Sequence, residues 1–272
     1  MSSRNDEPEA LSCRTRYPLL LVHGIGSRDR ERRNYWRRIP GALEERGAAI
    51  FYSGHDAMGT IEECAAVISR RVRDIAAETG CGKVNLIAHS KGGLDARRAV
   101  RMEGTEELIA SLTTISTPHH GLKTVDFVCR IPRPMMKAAA FFVDLSFRLL
   151  GDKNPDFYST YQQFSTRSAR RFNEAVPDSD KVYYQSYAAV MKSPLCDIVA
   201  APLYLAIRIF DGDNDGLVPV ESARWSGFRG EITGGRALGV SHFHVIGRRN
   251  FYGADVRGIY VSIVQDLKRR GF

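Results

Sequence analysis

Lys83-Val84-Asn85-Leu86-Ile87-Ala88-His89-Ser90-Lys91-Gly92-Gly93 is the stretch from which the rest of the chain can be read. A short apolar run enters a turn of the form small-x-Ser-x-Gly, and Leu94-Asp95-Ala96-Arg97-Arg98-Ala99-Val100 continues it as a helix. This is the strand-turn-helix setting of a nucleophile elbow. A serine held on a strained turn between strand and helix needs neighbours with little or no side chain, here Ala88, Gly92 and Gly93. The same turn sets Ser90 at a helix N-terminus, where unpaired backbone N–H groups and the helix dipole favour developing negative charge. An ordinary N-cap serine has the same local pattern. The surrounding chain decides between the two.

Upstream, Tyr17-Pro18-Leu19-Leu20-Leu21-Val22 is a continuous apolar run of the kind buried on both faces of a parallel sheet, and residues 1–16 form a polar N-terminal tail. The run ends in His23-Gly24-Ile25-Gly26, where glycines let the backbone turn and leave N–H groups free. His23 in this position braces the loop. Asn34 to Leu43 is expected to form a helix with Gly47 as its C-cap, and Ala48-Ala49-Ile50-Phe51-Tyr52 is the next strand. Thr60-Ile61-Glu62-Glu63 is a capping box, followed by Ile61, Cys64, Ala65, Ile68, Val72 and Ile75 at helical spacing. Alternating strands and helices predict an α/β fold built on a mostly parallel, doubly wound sheet, with ligands outside the carboxyl ends of the strands.

Ser111 to Ser116 adds a strand, closed by Thr117-Pro118-His119-His120-Gly121. The paired histidines have no Asp, Glu or Cys at ligand spacing, so the loop is expected to shape the site rather than hold a metal. From about residue 122 to 180 the pattern changes. Met135 to Leu150 is mostly apolar, its charges Lys137, Asp144 and Arg148 lie on one stripe, and it is too short and too charged to span a bilayer. This segment is expected to be a helical cap or lid inserted in a single domain over 17–272. Lys181 to Val190 returns to the sheet, while Pro202 to Phe210 fits either helix or strand.

Asp211-Gly212-Asp213-Asn214-Asp215-Gly216-Leu217-Val218-Pro219 imitates a calcium-binding EF-hand loop, but Ser222 occupies the twelfth position, where a bidentate Glu belongs. Chain order offers a better reading. In a nucleophile-elbow fold the triad runs serine, acid, histidine. Of the seven histidines only His242 and His244 follow this acidic loop, so the base is one of those two.

The net charge of +8 raises nucleic acid and anionic membrane as partners. The basic residues are spread in small groups among acids, as on solvated helix faces, and no nucleic-acid partner is expected. The five cysteines show no metal-type spacing, and their pairing cannot be read from the sequence. No signal-type apolar segment opens the chain, which leads to the expectation of a cytoplasmic protein.

Taken together, the chain resembles the bacterial triacylglycerol lipases of the α/β-hydrolase superfamily. The shared stretches are Leu21-Val22-His23-Gly24, Tyr35-Trp36, Ile39-Pro40, Gly47-Ala48, Val84 to Ser90, Thr117 to Gly121, Asn214 to Val218 and Ser241-His242, colinear from about Tyr17 to His242. The resemblance implies an α/β-hydrolase fold, Ser90 as nucleophile, His242 as base, Asp215 as the orienting acid, and the backbone N–H groups of Ile25 and Lys91 as the oxyanion hole. It implies an acyl-ester substrate, a lipid interface and no cofactor. Calcium-dependent members carry an Asp two residues after the base. Here that residue is His244, and Arg248 stands where a further ligand would fall, leaving Asp197 as the one matching acid. No family-type calcium is expected. The expected function is therefore carboxylester hydrolysis through an acyl-serine. The alternatives are acyl transfer or thioester hydrolysis by the same residues, or a non-catalytic lipid-binding protein on the same fold.

Overall fold

The computed structural model describes residues 12–26, 35–130, 157–235, 237–248 and 254–272, together with position 134. Its centre is a six-stranded sheet, every neighbouring pair parallel, in the order β2-β1-β3-β4-β5-β6. The strands are β1 (Leu19–Val22), β2 (Ile50–Tyr52), β3 (Val84–His89), β4 (Ile109–Ile115), β5 (Tyr183–Ala189) and β6 (Phe228–Ile232). Between and after them run α1 (Ile39–Glu44), α2 (Ile61–Thr79), α3 (Lys91–Val100), α4 (Lys123–Val128), α5 (Phe157–Gln162), α6 (Thr166–Ala175), α7 (Ala201–Asp211), α8 (Val220–Ala223) and α9 (Val256–Arg269). Among the described residues no helix is long and apolar enough to cross a membrane.

The period-two alternation of a strand divides the core between two faces. Leu19 and Leu21 of β1 join Ile87 and Ile115 under α1 and α9, where Trp36, Ile39, Leu43, Tyr260 and Val264 are buried. Leu20 and Val22 face the opposite way with Leu86, Ala88 and Leu112, under α2 and α3. Helices on both faces explain why β1 reads as an unbroken apolar run. The α2 stripe packs as its spacing predicts, with Cys64, Ala65, Ile68, Val72 and Ile75 buried, and the Thr60–Glu63 capping box forms in both directions.

Three expectations change in detail. The helix expected from Asn34 begins only at Ile39, because Tyr35 to Arg38 form turns and Arg37 takes a φ of +52°. Gly47 lies in the turn after that helix, whose cap is Glu45. The ambiguous segment around Pro202 is the helix α7, with Pro202 in its first turn, where a missing N–H does no harm. Strand β6 and helix α9 carry no mark in the expectations above. The apolar run Met135 to Leu150, with its charges Lys137, Asp144 and Arg148, lies outside the described residues.

Ile68 is fully buried between α2 and the sheet, so Ile68→Ala should lower unfolding free energy by about 2–5 kcal/mol. Urea denaturation would show this as a lower midpoint at unchanged slope. A change below about 1 kcal/mol would contradict the packing described.

Candidate active site

Strand β3 ends at His89 and helix α3 starts at Lys91, leaving one residue for the turn. Ser90 makes it with φ +56° and ψ −136°, backbone angles that strain a side-chain-bearing residue by about 1–3 kcal/mol. Neighbouring strands hold it there. The Ser90 N–H donates to the Ile115 carbonyl at 3.0 Å, and the Ser90 carbonyl accepts from Thr117 Oγ1 at 2.8 Å and from the Gly93 N–H at 3.0 Å. Close approach dictates the glycines on either side. A Cβ at Gly92 would run into the His23 carbonyl oxygen, and one at Gly24 would sit 2.7 Å from Ser90 Cβ.

From this turn the serine hydroxyl meets the two residues expected from chain order. His242 Nε2 lies 3.0 Å from Ser90 Oγ, and His242 Nδ1 lies 2.8 Å from Asp215 Oδ2. The other carboxylate oxygen of Asp215 accepts the N–H groups of Leu217 (3.0 Å) and Val218 (2.8 Å), which fixes the acid in its loop. The His242 N–H also donates to the Asp215 carbonyl at 2.8 Å, so backbone and side chain tie the same two residues together. All three side chains are buried. A hydroxyl, an imidazole and a carboxylate in series are the parts needed to activate a serine.

The remaining expected residues fall around this line. Ile25 and Ser90 line one cavity, and neither the Ile25 nor the Lys91 backbone N–H donates to another group among the described residues. His244, the other base allowed by chain order, points away from Ser90 toward Cys196 and Asp197. His23 braces its loop as expected, with Nδ1 2.7 Å from the Gly24 carbonyl oxygen and its ring stacked on His55. His119 and His120 diverge, the first to Thr114 and Arg97, the second to the Arg224 carbonyl. Burial, with Arg97 beside it, pushes the His119 pKa well down. The acids of the calcium-like loop separate too: Asp211 caps α4 through the N–H groups of Lys123 and Thr124, Asp213 pairs with Arg208, and Asp215 serves His242.

Two buried clusters extend the site beyond the sequence reading. His89 packs against His242 with ring centroids 4.4 Å apart, and its Nδ1 lies 2.7 Å from the Tyr35 hydroxyl. Burial first, then His242 and Arg248, pushes the His89 pKa well below the usual histidine range. His89 therefore puts no second imidazolium against the His242 ring. Beneath the elbow, Lys91 Nζ lies 2.8 and 2.9 Å from the two Asp95 oxygens and 3.5 Å from Cys64 Sγ, all buried. Burial opposes the Lys91 charge, yet Asp95 outweighs it and the Lys91 pKa is raised. His55, Cys64 and Asp95 present ligand atoms within 4.8 Å of one another. The lysine ammonium already bonds two of the three, and burial pushes the Cys64 thiol up to about 12, so the protein's own cation fills this place. Lys91 and Asp95 stand four apart on α3, and Cys64 of α2 and His55 lie against them.

A cavity of about 450 Å³ opens at Ser90 and His242. Its walls are mostly apolar, with Leu122 and Val125 near α4, Phe164, Leu203 and Ile207 of α7, and Phe243 after the histidine, while Arg248 is its charged member. Outside it α7 exposes Leu205 and Ile209, and Phe127 of α4 stacks on Phe210. Phe164 lies in the inserted region that the sequence places over the site, whereas Leu203 and Ile207 were not singled out, because the apolar stripe of α7 belonged to a segment that fitted strand as well as helix.

Removing the Lys91 charge would leave Asp95 buried without its ammonium partner, facing the His55 imidazole at 3.7 Å and the Cys64 thiol. Lys91→Met is expected to lower stability by about 3–5 kcal/mol, and Lys91→Met with Asp95→Leu to recover most of it. Chemical denaturation of the single and double variants would decide. Additive losses would mean the two groups do not act as a pair.

The chain resembles several known proteins. It is 29% identical over 259 residues to "Triacylglycerol lipase 2" of Saccharomyces cerevisiae, covering 88% of this chain and 74% of the relative. It is also 29% identical over 254 residues to "Triacylglycerol lipase" of Pseudomonas fragi, covering 81% of this chain and 85% of the relative. The crystal structure of the Staphylococcus hyicus lipase superposes with a TM-score of 0.70 at 16% identity, over 99% of this chain and 98% of that one. No family model matches the chain.

Proposed function

We infer that this chain, whose curated relatives and structural likenesses support a bacterial lipase family of α/β-hydrolase fold, is a carboxylester hydrolase that forms an acyl-serine intermediate. One observation carries this reading: the Ser90–His242–Asp215 series, at 3.0 and 2.8 Å, opens into an apolar cavity. Ser90 Oγ attacks the ester carbonyl while His242 Nε2 takes its proton. Asp215 holds Nδ1–H and stabilises the imidazolium that results. The N–H groups of Ile25 and Lys91 receive the oxyanion, each worth about 10²–10³ in rate. Collapse releases the alcohol, protonated by His242. A water deprotonated by the same nitrogen then attacks the acyl-serine and frees the carboxylic acid.

The cavity walls favour a hydrocarbon acyl chain over a charged group, and the series needs no cofactor. The exposed apolar side chains of α7, with Ile209 78% and Leu205 49% exposed, suit contact with a lipid surface next to the cavity mouth.

Ser90→Ala should fold like the parent and lower turnover of p-nitrophenyl butyrate by roughly 10⁴-fold or more, with loss of fluorophosphonate labelling at Ser90. His242→Ala should be similarly inactive, while His244→Ala should keep turnover within about tenfold. Undiminished hydrolysis by Ser90→Ala would refute the mechanism. For the surface, Leu205→Ser with Ile209→Ser is expected to reduce hydrolysis of emulsified long-chain triacylglycerol by about tenfold or more, since each inserted side chain contributes up to roughly 1.5–3 kcal/mol. Turnover of the soluble short ester should stay unchanged in that variant. Equal loss on both substrates would point to a packing defect instead.

A further inference from the structure

We propose that Asp197 is a positioning residue for the reaction, holding the turn that carries His242 through a direct bond network in the place where calcium-dependent lipases use a metal ion. The proposal rests on His242 being the base.

The groups gathered here do not fit a hard cation. Calcium takes six to eight oxygen ligands, with several carboxylates in tight sites. Around the buried Asp197 stand the Ser241 hydroxyl, the His244 imidazole and the Cys196 thiol, and nitrogen and sulfur suit softer metals. The carboxylate is also already engaged. Asp197 Oδ2 accepts the Ser241 hydroxyl at 2.9 Å and faces His244 Nε2 at 4.0 Å, while Oδ1 accepts the Ala200 N–H at 3.3 Å.

These bonds straddle the base. Ser241 precedes His242 and His244 follows it by two, and the Ser241 oxygen that donates to Asp197 also accepts the His244 N–H at 3.1 Å. Next to Asp197, the Cys196 thiol donates to the Gly239 carbonyl at 3.3 Å, so one short turn holds the base-bearing loop by hydrogen bonds at Gly239 and Ser241. On its other side His242 is tied to Asp215. The Asp197 turn leads directly into α7, whose Leu203 and Ile207 line the cavity, so the carboxylate links the cavity wall to the base. A displacement of about 1 Å at a reacting group is enough to lose roughly 10² in rate. Release of this grip would act on the 3.0 Å contact between His242 and Ser90.

The test uses the full chain and p-nitrophenyl butyrate. Asp197→Ala and Ser241→Ala should each lower kcat by roughly 100-fold with KM within twofold of the parent, measured well below the melting temperature of each variant. Asp197→Asn keeps an oxygen for the Ser241 hydroxyl and should lose less, about tenfold. The parent should show the same kcat and melting temperature in excess EGTA and in millimolar calcium. Unchanged kcat in Ser241→Ala or Asp197→Asn overturns the proposal even where Asp197→Ala fails to fold. Chelator inhibition reversed by calcium in the parent overturns it as well. A parent that neither turns over esters nor labels at Ser90 refutes the hydrolase reading instead, so the two failures are separable.

Discussion

The backbone of Ser90 is the constraint on which the site depends. A serine at φ +56° does not hold that conformation by preference, and what holds it is the sheet. Its N–H and carbonyl are tied to β4 and the loop that follows, through Ile115 and Thr117, and Gly92 lets α3 lie against the end of β1. The hydroxyl is therefore aimed by three strands at once. His242 approaches from the far end of the chain and finds it already fixed.

Polar groups are buried around this point in numbers that need explaining, and those beside the serine are paired or held neutral. Asp215 accepts two backbone N–H groups besides His242, Lys91 is neutralised by Asp95, and His89 stays uncharged next to the base. Transfer of isolated charges into such a setting would be strongly unfavourable, whereas matched ones stay rigid. Rigidity is what the proposed mechanism asks of its surroundings, since one imidazole would take up and return a proton in each half of the reaction.

The strands that cross the middle of the sheet were legible because burial on both faces leaves mostly apolar and small residues, and the elbow because sterics permit so few residues there. Ser90, Asp215 and His242 emerged from motif, chain order and resemblance together, and the structure brings their side chains into one series. What stayed hidden depends on long-range packing. The α7 wall was ambiguous because its apolar residues fit two periods, and nothing in the spacing of Lys91 and Asp95 tells that they are buried beside Cys64 of α2. Strand β6, Phe-Arg-Gly-Glu-Ile, has two charges and a central glycine, and only its pairing with β5 makes it a strand.

That last feature bears on how the molecule behaves among its neighbours. A parallel sheet that does not close into a barrel has two raw edges, each a template for pairing with another chain. One edge here is β2, only three residues long, and the other is β6, which places Arg229 and Glu231 where an incoming strand would dock. The composition that hides β6 from a search for strands is the same that keeps foreign strands away. Among the described residues the large apolar side chains left exposed belong to α4, α7 and the turn before α7, beside the cavity, and neither sheet edge adds a long apolar strand to them.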